Sequence, residues 1–112
     1  MSVAPRSVPE RSDAQRAAAL EAALAARVER SRLRAELKAR RLSGSDVVEG
    51  ADDNRLWAGL KVTWLLESLP GVGQIRAERL LTNLGIAPSR RIQGLGSRQR
   101  TALITELRRE GR

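Results

Sequence analysis

LPGVGQIRAERLL, residues 69–81, places a proline and two glycines directly in front of a segment with helical apolar spacing. Pro70 cannot continue the helix that leads up to it, and Gly71 and Gly73 let the chain turn sharply. Val72, which stands between the glycines, is expected to point into the core as the pivot of this turn. We therefore predict two helices joined by a tight hairpin.

The helix after this turn is predicted over residues 74–84, and Gly85 is placed for a left-handed cap. The side chains expected to be buried are Ala77, Leu80, Leu81 and Leu84. A helix N-terminus presents unpaired N–H groups and the positive end of the dipole, and glycine there lets a phosphate approach the backbone. The stretch matches the helix-hairpin-helix signature, whose modules bind the sugar-phosphate backbone without reading bases. A turn that merely joins two helices is the alternative.

A second segment, QGLGSRQRTALI at 93–104, repeats the arrangement 23 residues later. Gly94 and Gly96 flank an apolar residue in front of a helix that we expect to begin near Ser97. The apolar pair that follows corresponds in position to the leucine pair after the hairpin. The sequence therefore predicts two helix starts, each preceded by Gly-apolar-Gly.

Four arginines surround the second helix start, and no acidic residue lies among them. They are Arg90, Arg91, Arg98 and Arg100. Their mutual repulsion is unrelieved unless an anion binds, which favours a phosphate-binding role. Pro88 and the two glycines indicate a structured loop rather than a helix. A solvated basic loop is the alternative.

The composition excludes several functional classes. A chain of 112 residues supports at most one small domain, and this one contains no Cys, His, Tyr or Phe. Disulfides, thiolate or imidazole zinc ligation and the usual nucleophile–base pairs are unavailable, so we expect no enzyme, no metal and no other cofactor. The 21 Lys and Arg residues, 19 of them Arg, against 13 Asp and Glu give a net charge of +8, which suits a phosphate-rich polyanion. The alternative is a helical protein that is merely basic.

Two regions precede the hairpin domain, which is predicted over 43–112. Residues 1–11 contain two prolines and little that could be buried, and are expected to form a flexible tail. Residues 12–42 are expected to form one long protruding helix, begun by a capping box between Ser12 and Gln15. Arginines become more frequent toward the C-terminal end of this helix. They either face phosphates or are solvated, at the end of the helix dipole where positive charge is favourable.

Between the long helix and the hairpin, the sequence predicts three short helical pieces and no strand, so the fold class is all-α. These pieces cover residues 46–51, 55–58 and 60–69. Ser45 is expected to cap the first piece, and residues 52–54 the second. Trp57 and Trp64, the only aromatic residues, are predicted to be structural, with base stacking as the alternative.

Residues 69–104, which include SRRIQGLGSRQR, resemble the actinobacterial type of integration host factor, a family unrelated in fold to the enterobacterial factor of that name. SDAQRAAALEAALAARVERSRLRAELKARR is similar to that family's long N-terminal helix, and LKVTWLLESLP to the helix before its hairpin. The resemblance implies a long N-terminal helix followed by a compact helix-two-turn-helix domain. It also implies a nucleoid-associated protein that binds double-stranded DNA with little sequence preference, bends it and assists a phage-type integrase. We favour a monomer.

By position, the resemblance assigns DNA contacts to the hairpin at 69–76 and to a lid-like loop at 87–99. The predicted contact residues are Leu69, Pro70, Gly71, Val72, Gly73, Gln74, Ile75, Arg76, Pro88, Ser89, Arg90, Arg91, Gln93, Gly94, Gly96, Arg98, Gln99 and Arg100. Relatives often carry a basic residue where Gln74 and Gln93 stand, so up to two ionic phosphate contacts are expected to be missing. Each missing contact flattens the log-log salt dependence of binding by about 0.9.

Three alternative functions stay open. Residues 69–92 also resemble the helix-two-turn-helix of ribosomal S13, but the chain ends at Arg112 without the basic extension that those RNA-binding proteins carry. The long N-terminal helix could instead dock a recombinase or another copy of the chain. A helix-hairpin-helix glycosylase is the weakest option, because Glu78 is the only acid in the basic region. No apolar run reaches the ~20 residues of a membrane span and no signal-peptide core is present, so we expect a cytoplasmic protein without membrane contact.

Overall fold

The computed structural model describes residues 12–112, which form six α-helices and two short 3-10 turns. The helices are α1 (Asp13–Lys38), α2 (Gly44–Gly50), α3 (Arg55–Ala58), α4 (Val62–Glu67), α5 (Gln74–Leu84) and α6 (Ser97–Arg109), and the turns are Ala51–Asp53 and Ile92–Gly94. These residues contain no β-strand, and their one isolated bridge pairs Lys61 with Arg91. The all-α prediction is confirmed, whereas the predicted tail at 1–11 lies outside the described residues. None of the helices in this range is long and apolar enough to cross a membrane.

The first helix, α1, begins as the sequence predicts and ends earlier. The main-chain N–H of Ser12 donates to Gln15 Oε1 (2.8 Å), and Ser12 Oγ accepts from the main-chain N–H of Gln15 (3.1 Å). These two bonds complete the capping box. The helix ends at Lys38 instead of continuing to residue 42, because Arg40 adopts a left-handed conformation with φ of 60°.

The chain divides into two compact units, and the boundary at Ser31 falls inside α1. In the described part of the first unit, Leu20, Leu24 and Val28 are 62%, 48% and 52% exposed. They follow one another at four-residue steps and so form an open apolar stripe on that stretch of helix. The second unit, residues 32–112, contains the hydrophobic core.

The core of the second unit is built mainly from leucine and valine. Its most deeply buried side chains are Leu37, Leu65, Leu66, Leu69, Leu81, Leu103, Leu107, Val47, Val48, Val62 and Ser68. Val72 is buried among them, which confirms its predicted role as the pivot of the hairpin. Trp57 and Trp64 pack against this core, in agreement with the structural role predicted for both. The guanidinium carbon of Arg34 lies 4.7 Å from the centroid of the Trp64 ring, which adds a cation–π contact.

The predicted cap of α2 at Ser45 is wrong. Ser43 takes this role: its Oγ accepts from the main-chain N–H of Asp46 (3.0 Å), and its own N–H donates to Asp46 Oδ2 (3.2 Å). Ser43 is favoured because it alone has an acidic side chain three residues further on, and Ser45 is buried in the first turn. The second predicted cap is confirmed, since Asn54 Oδ1 accepts from the main-chain N–H of Trp57 at the start of α3 (3.1 Å).

The helices α5 and α6 run antiparallel. At one end, Gln99 Nε2 donates to the main-chain oxygen of Gly85 (2.8 Å), which joins the start of α6 to the end of α5. At the other end, Nη2 of Arg76, near the start of α5, lies 3.3 Å from Oε1 of Glu110, just beyond the end of α6. The predicted bounds of α5 are confirmed, and Gly85 has the expected left-handed conformation, with φ of 67°. The two glycine-flanked helix starts therefore lie at opposite ends of one helix pair.

Candidate nucleic-acid interface

The hairpin at 69–76 presents main-chain N–H groups at the start of α5. Gly73 is the N-cap of this helix and no side chain caps it. The N–H of Ala77 donates to the Gly73 oxygen (3.0 Å), so the N–H groups of residues 74–76 have no acceptor within the helix. Ile75 beside them is 69% exposed. This helix start combines free donors with the positive end of a dipole, which suits an anion.

The two hairpin glycines have different structural roles. Gly71 has φ of 73°, a conformation that L-residues with a side chain rarely adopt, so the turn itself requires glycine there. Gly73 has φ of −91° and ψ of −177°, which any residue can adopt. A Cβ atom placed on Gly73 would meet nothing within 4 Å. The fold therefore does not require glycine at position 73. The absence of a side chain there leaves room for an anion to reach the main chain.

Cations from elsewhere in the second unit hold the chain as it enters the hairpin. Lys38 Nζ donates to the main-chain oxygens of Glu67 (3.3 Å) and Leu69 (3.5 Å), at the carbonyl end of α4. Arg112 Nη1 donates to the main-chain oxygen of Pro70 (2.7 Å). These bonds satisfy carbonyls that the end of a helix leaves unpaired.

Part of the basic end of α1 therefore has a structural role. Lys38 contacts the hairpin entrance, and Arg34 Nε donates to Ser68 Oγ (3.1 Å) while its guanidinium stacks on Trp64. The sequence left open whether these cations face phosphates or solvent. In the structure both contact protein, where positive charge is favourable at the C-terminal end of α4.

An open groove of about 850 Å³ lies beside the start of α5. It is lined by Gly73, Gln74, Ile75, Arg76, Arg79, Leu80, Asn83, Glu106, Arg109 and Glu110. Arg76 pairs with Glu110, and Arg109 pairs with Glu106. The hydrogen bond from Arg109 holds the pKa of Glu106 below its ordinary value. Acids therefore compensate Arg76 and Arg109, whereas the main-chain N–H groups at the start of α5 and the side chain of Arg79 have no acidic partner among the described residues.

Hydrogen bonds tie the lid-like loop to the segment between α3 and α4 and to the first turn of α4. Two loop oxygens accept hydrogen bonds: Pro88 O from Thr63 Oγ1 (2.8 Å) and Arg90 O from Val62 N (2.9 Å). Two loop residues donate in return, Ile92 N to Leu60 O (2.9 Å) and Arg91 Nη1 to Gly59 O (2.5 Å). Arg90 Nη1 also donates to the main-chain oxygen of Gly94 (3.2 Å). Pro88, Ser89 and Gln93 are exposed on this loop. The structure thus brings the predicted loop residues to one anchored surface.

The start of α6 resembles that of α5 in its backbone. Gly96 is the N-cap, with φ of −68°, and a Cβ atom there would approach only Gln99 Oε1, at 3.6 Å. Gln99 makes contacts within the protein, accepting from the Gly96 N–H (3.0 Å) and donating to the Gly85 oxygen. Arg98 is exposed in the first turn. Gly96 and Arg98 thus offer open backbone and a cation at the second helix start.

Arg100 has protein partners that the sequence did not indicate. Its Nη1 donates to Asp52 (3.0 Å to Oδ2), and its Nη2 donates to the main-chain oxygens of Val48 and Glu49 (3.2 Å each). The expectation that no acid relieves the arginine cluster is therefore wrong for this member. Arg100 fixes the start of α6 against the end of α2, and its DNA contact stays a prediction.

Two cations at these surfaces were not predicted from the sequence. Arg79 lines the groove. It stands three residues after Arg76, so the helical spacing of α5 could have indicated that both side chains lie on the same face. Lys61 lies opposite Arg91 in the isolated bridge. No local sequence signal pairs Lys61 with a residue so far along the chain.

The comparisons with known proteins agree with this geometry. Residues 37–107 match the S13-like H2TH domain. The chain is 45% identical over 97 residues to the integration host factor of Mycobacterium tuberculosis, which covers 87% of this chain and 92% of that protein. It is 46% identical over 99 residues to the integration host factor of Streptomyces coelicolor, covering 88% and 92%. A solved structure of sIHF bound to an 8 bp palindromic DNA superposes with a TM-score of 0.73 at 44% identity, over 78% of this chain and 98% of that one.

Proposed function

Because this chain belongs to the actinobacterial integration host factor family, with an S13-like H2TH domain, we propose that it is an architectural protein that binds and bends double-stranded DNA. The observation that carries the proposal is the open, uncapped start of α5 at Gly73, where the fold leaves space and free N–H groups for a phosphate. The solved relative bound to DNA supports the same ligand class. The proposed activity is binding, without a catalytic step.

Two separated patches carry the proposed contact. The hairpin at 69–76 offers main-chain donors, and the loop at 87–99 offers Arg90, Arg91 and Arg98 on an anchored surface. α5 contains 11 residues, so its two ends lie about 16 Å apart. Contacts at both ends favour a curved DNA path, and bending ~20–30 base pairs by tens of degrees costs about 1–6 kcal/mol. Several charge-assisted phosphate contacts can offset that cost.

The sequence preference should be weak. Most of the proposed contacts are main-chain N–H groups and arginines directed at phosphates, which position a protein on DNA without reading its bases. Affinity is therefore expected to fall steeply with salt, because released counterions drive such binding.

In the cell, we place this protein on the nucleoid as a monomer that prepares DNA for a phage-type integrase. The shared family with proteins named integration host factor supports this role. The bent DNA, rather than a direct contact with the recombinase, is the proposed contribution to recombination.

A competition titration tests the proposed ligand. A labelled 25-base-pair duplex of arbitrary sequence is bound to the protein at fixed salt and displaced with unlabelled duplex DNA or with structured RNA of equal length. We expect duplex DNA to compete at least tenfold better, with little dependence on its sequence. Equal or better competition by RNA would favour an S13-like RNA-binding function instead.

A further inference from the structure

The isolated bridge between Lys61 and Arg91 brings two cations together from distant parts of the chain. Its main-chain bonds run between the flanking residues, from Val62 N to Arg90 O and from Ile92 N to Leu60 O. In this antiparallel pattern the bridged residues face each other without bonding to each other. Their Cα atoms are then about 4.5 Å apart and their side chains project to the same side.

That side faces solvent. Leu60, Val62 and Ile92 are buried, and the alternation along the two segments turns Lys61 and Arg91 outward. Both side chains are exposed, and within residues 12–112 no carboxylate forms an ion pair with either. Like charges placed directly opposite each other destabilise such a pair. The fold therefore holds two cations side by side without an internal counter-charge.

We propose that Lys61 and Arg91 together bind one backbone phosphate of DNA, which extends the contact surface from the loop to the segment between α3 and α4. This inference rests on the proposed function. A phosphate oxygen between the two side chains supplies the missing counter-charge, and the neighbouring exposed cations of the loop continue the surface. Arg91 Nη1 is held by the Gly59 oxygen, which leaves its other donors and the flexible Lys61 ammonium for the ligand.

The test measures duplex affinity against salt for Lys61→Met, Lys61→Arg and a matched control. Arg108→Met is the control, because it also removes one exposed cation, but one that is paired with Glu49. At 0.1 M salt we expect Lys61→Met to bind about three- to tenfold more weakly, with a log-log slope smaller by about 0.9. Lys61→Arg should retain most of the wild-type affinity and salt slope. The affinity of the Arg108→Met control should stay within about twofold of the wild-type value.

A fourth variant separates ligand binding from folding. Lys61→Glu replaces the repulsion across the bridge with an ion pair to Arg91, so its midpoint of thermal unfolding should rise while duplex affinity falls at least tenfold. Weakened binding in a more stable protein cannot result from misfolding. If Lys61→Met binds with the wild-type affinity and slope, the Lys61 contact is refuted while the proposed function stands. If the wild-type protein itself fails to bind duplex DNA, both are refuted.

Discussion

Gly71 and Gly73 stand two residues apart in the hairpin, yet only Gly71 has a positive φ. The turn needs glycine at position 71, whereas position 73 has ordinary extended geometry and open space where a side chain would project. The sequence presents both as turn glycines. The structure separates a folding role from the proposed ligand-binding role.

Substitution of these glycines should have opposite consequences. Gly73→Ser is expected to keep or slightly raise the free energy of unfolding, because serine is a good N-cap. The serine hydroxyl accepts hydrogen bonds from the helix N–H groups, and its Cβ occupies the space through which a phosphate would reach them. Duplex affinity should therefore fall roughly tenfold, which corresponds to the loss of one charge-assisted hydrogen bond. Gly71→Ala should cost about 1 kcal/mol of stability. Urea denaturation and duplex titration of both variants check this, and a Gly73→Ser protein with full affinity would contradict the assignment.

Basic residues at the two glutamine positions should strengthen binding. Gln74 and Gln93 are both exposed, so Gln74→Lys and Gln93→Arg can add phosphate contacts without disturbing the core. Each is expected to steepen the log-log salt dependence by about 0.9. Fluorescence anisotropy at several salt concentrations measures the slope. An unchanged slope in both variants would mean that neither position meets a phosphate.

Arg100 should matter more for stability than for binding. Arg100→Ala leaves two α2 carbonyls without their donor, and we expect a loss of about 1–2 kcal/mol in the free energy of unfolding. Asp52→Asn should cost less than about 0.5 kcal/mol, since Asp52 is largely exposed and its ion pair is screened by solvent.

The binding measurement for Arg100 uses Arg98→Ala as its comparison, because Arg98 is exposed in the same helical turn. Arg98→Ala should reduce the salt slope by about 0.9, and Arg100→Ala should change it less. A full slope loss in folded Arg100→Ala would instead establish a direct phosphate contact for that residue.

The end of α1 offers a test of stability alone. Arg40 has φ of 60°. The main-chain N–H of Arg41 donates to the main-chain oxygen of Glu36 (3.0 Å) across the helix end, as in a Schellman motif. Glycine is relaxed in this conformation, so Arg40→Gly should raise the free energy of unfolding by about 0.5–1 kcal/mol. Arg41→Gly is the control and should destabilise, because it removes the ion pair with Glu36. Thermal unfolding followed by circular dichroism compares the two.

Signals confined to a few neighbouring residues predicted the hairpin domain well. Pro70 and the glycines around Val72 marked the turn, and Gly85 marked the end of α5 at the observed residue. The second helix start after Gly96 was likewise found from its glycines. Proline and glycine restrict or free the backbone locally, so their effects can be read without the tertiary structure.

Features that depend on tertiary contacts could not be predicted. The pairing of Arg100 with Asp52 and that of Lys61 with Arg91 join distant parts of the chain. α4 begins at Val62 rather than at Leu60, as its apolar spacing suggested, because Lys61 before it is extended in that bridge. The end of α1 was missed because an arginine occupies the left-handed position where glycine is usual.

Two helix starts, each with a glycine at its N-cap position, are proposed to hold DNA at two points and bend it. The most direct measurement is energy transfer between dyes on the two ends of a 25-base-pair duplex, at protein concentrations that saturate binding. Wild type should shorten the end-to-end distance, whereas Gly73→Ser and Gly96→Ser, each lacking one contact point, should shorten it less at saturation. A wild-type complex that saturates with no change in end-to-end distance would show that the protein does not bend DNA.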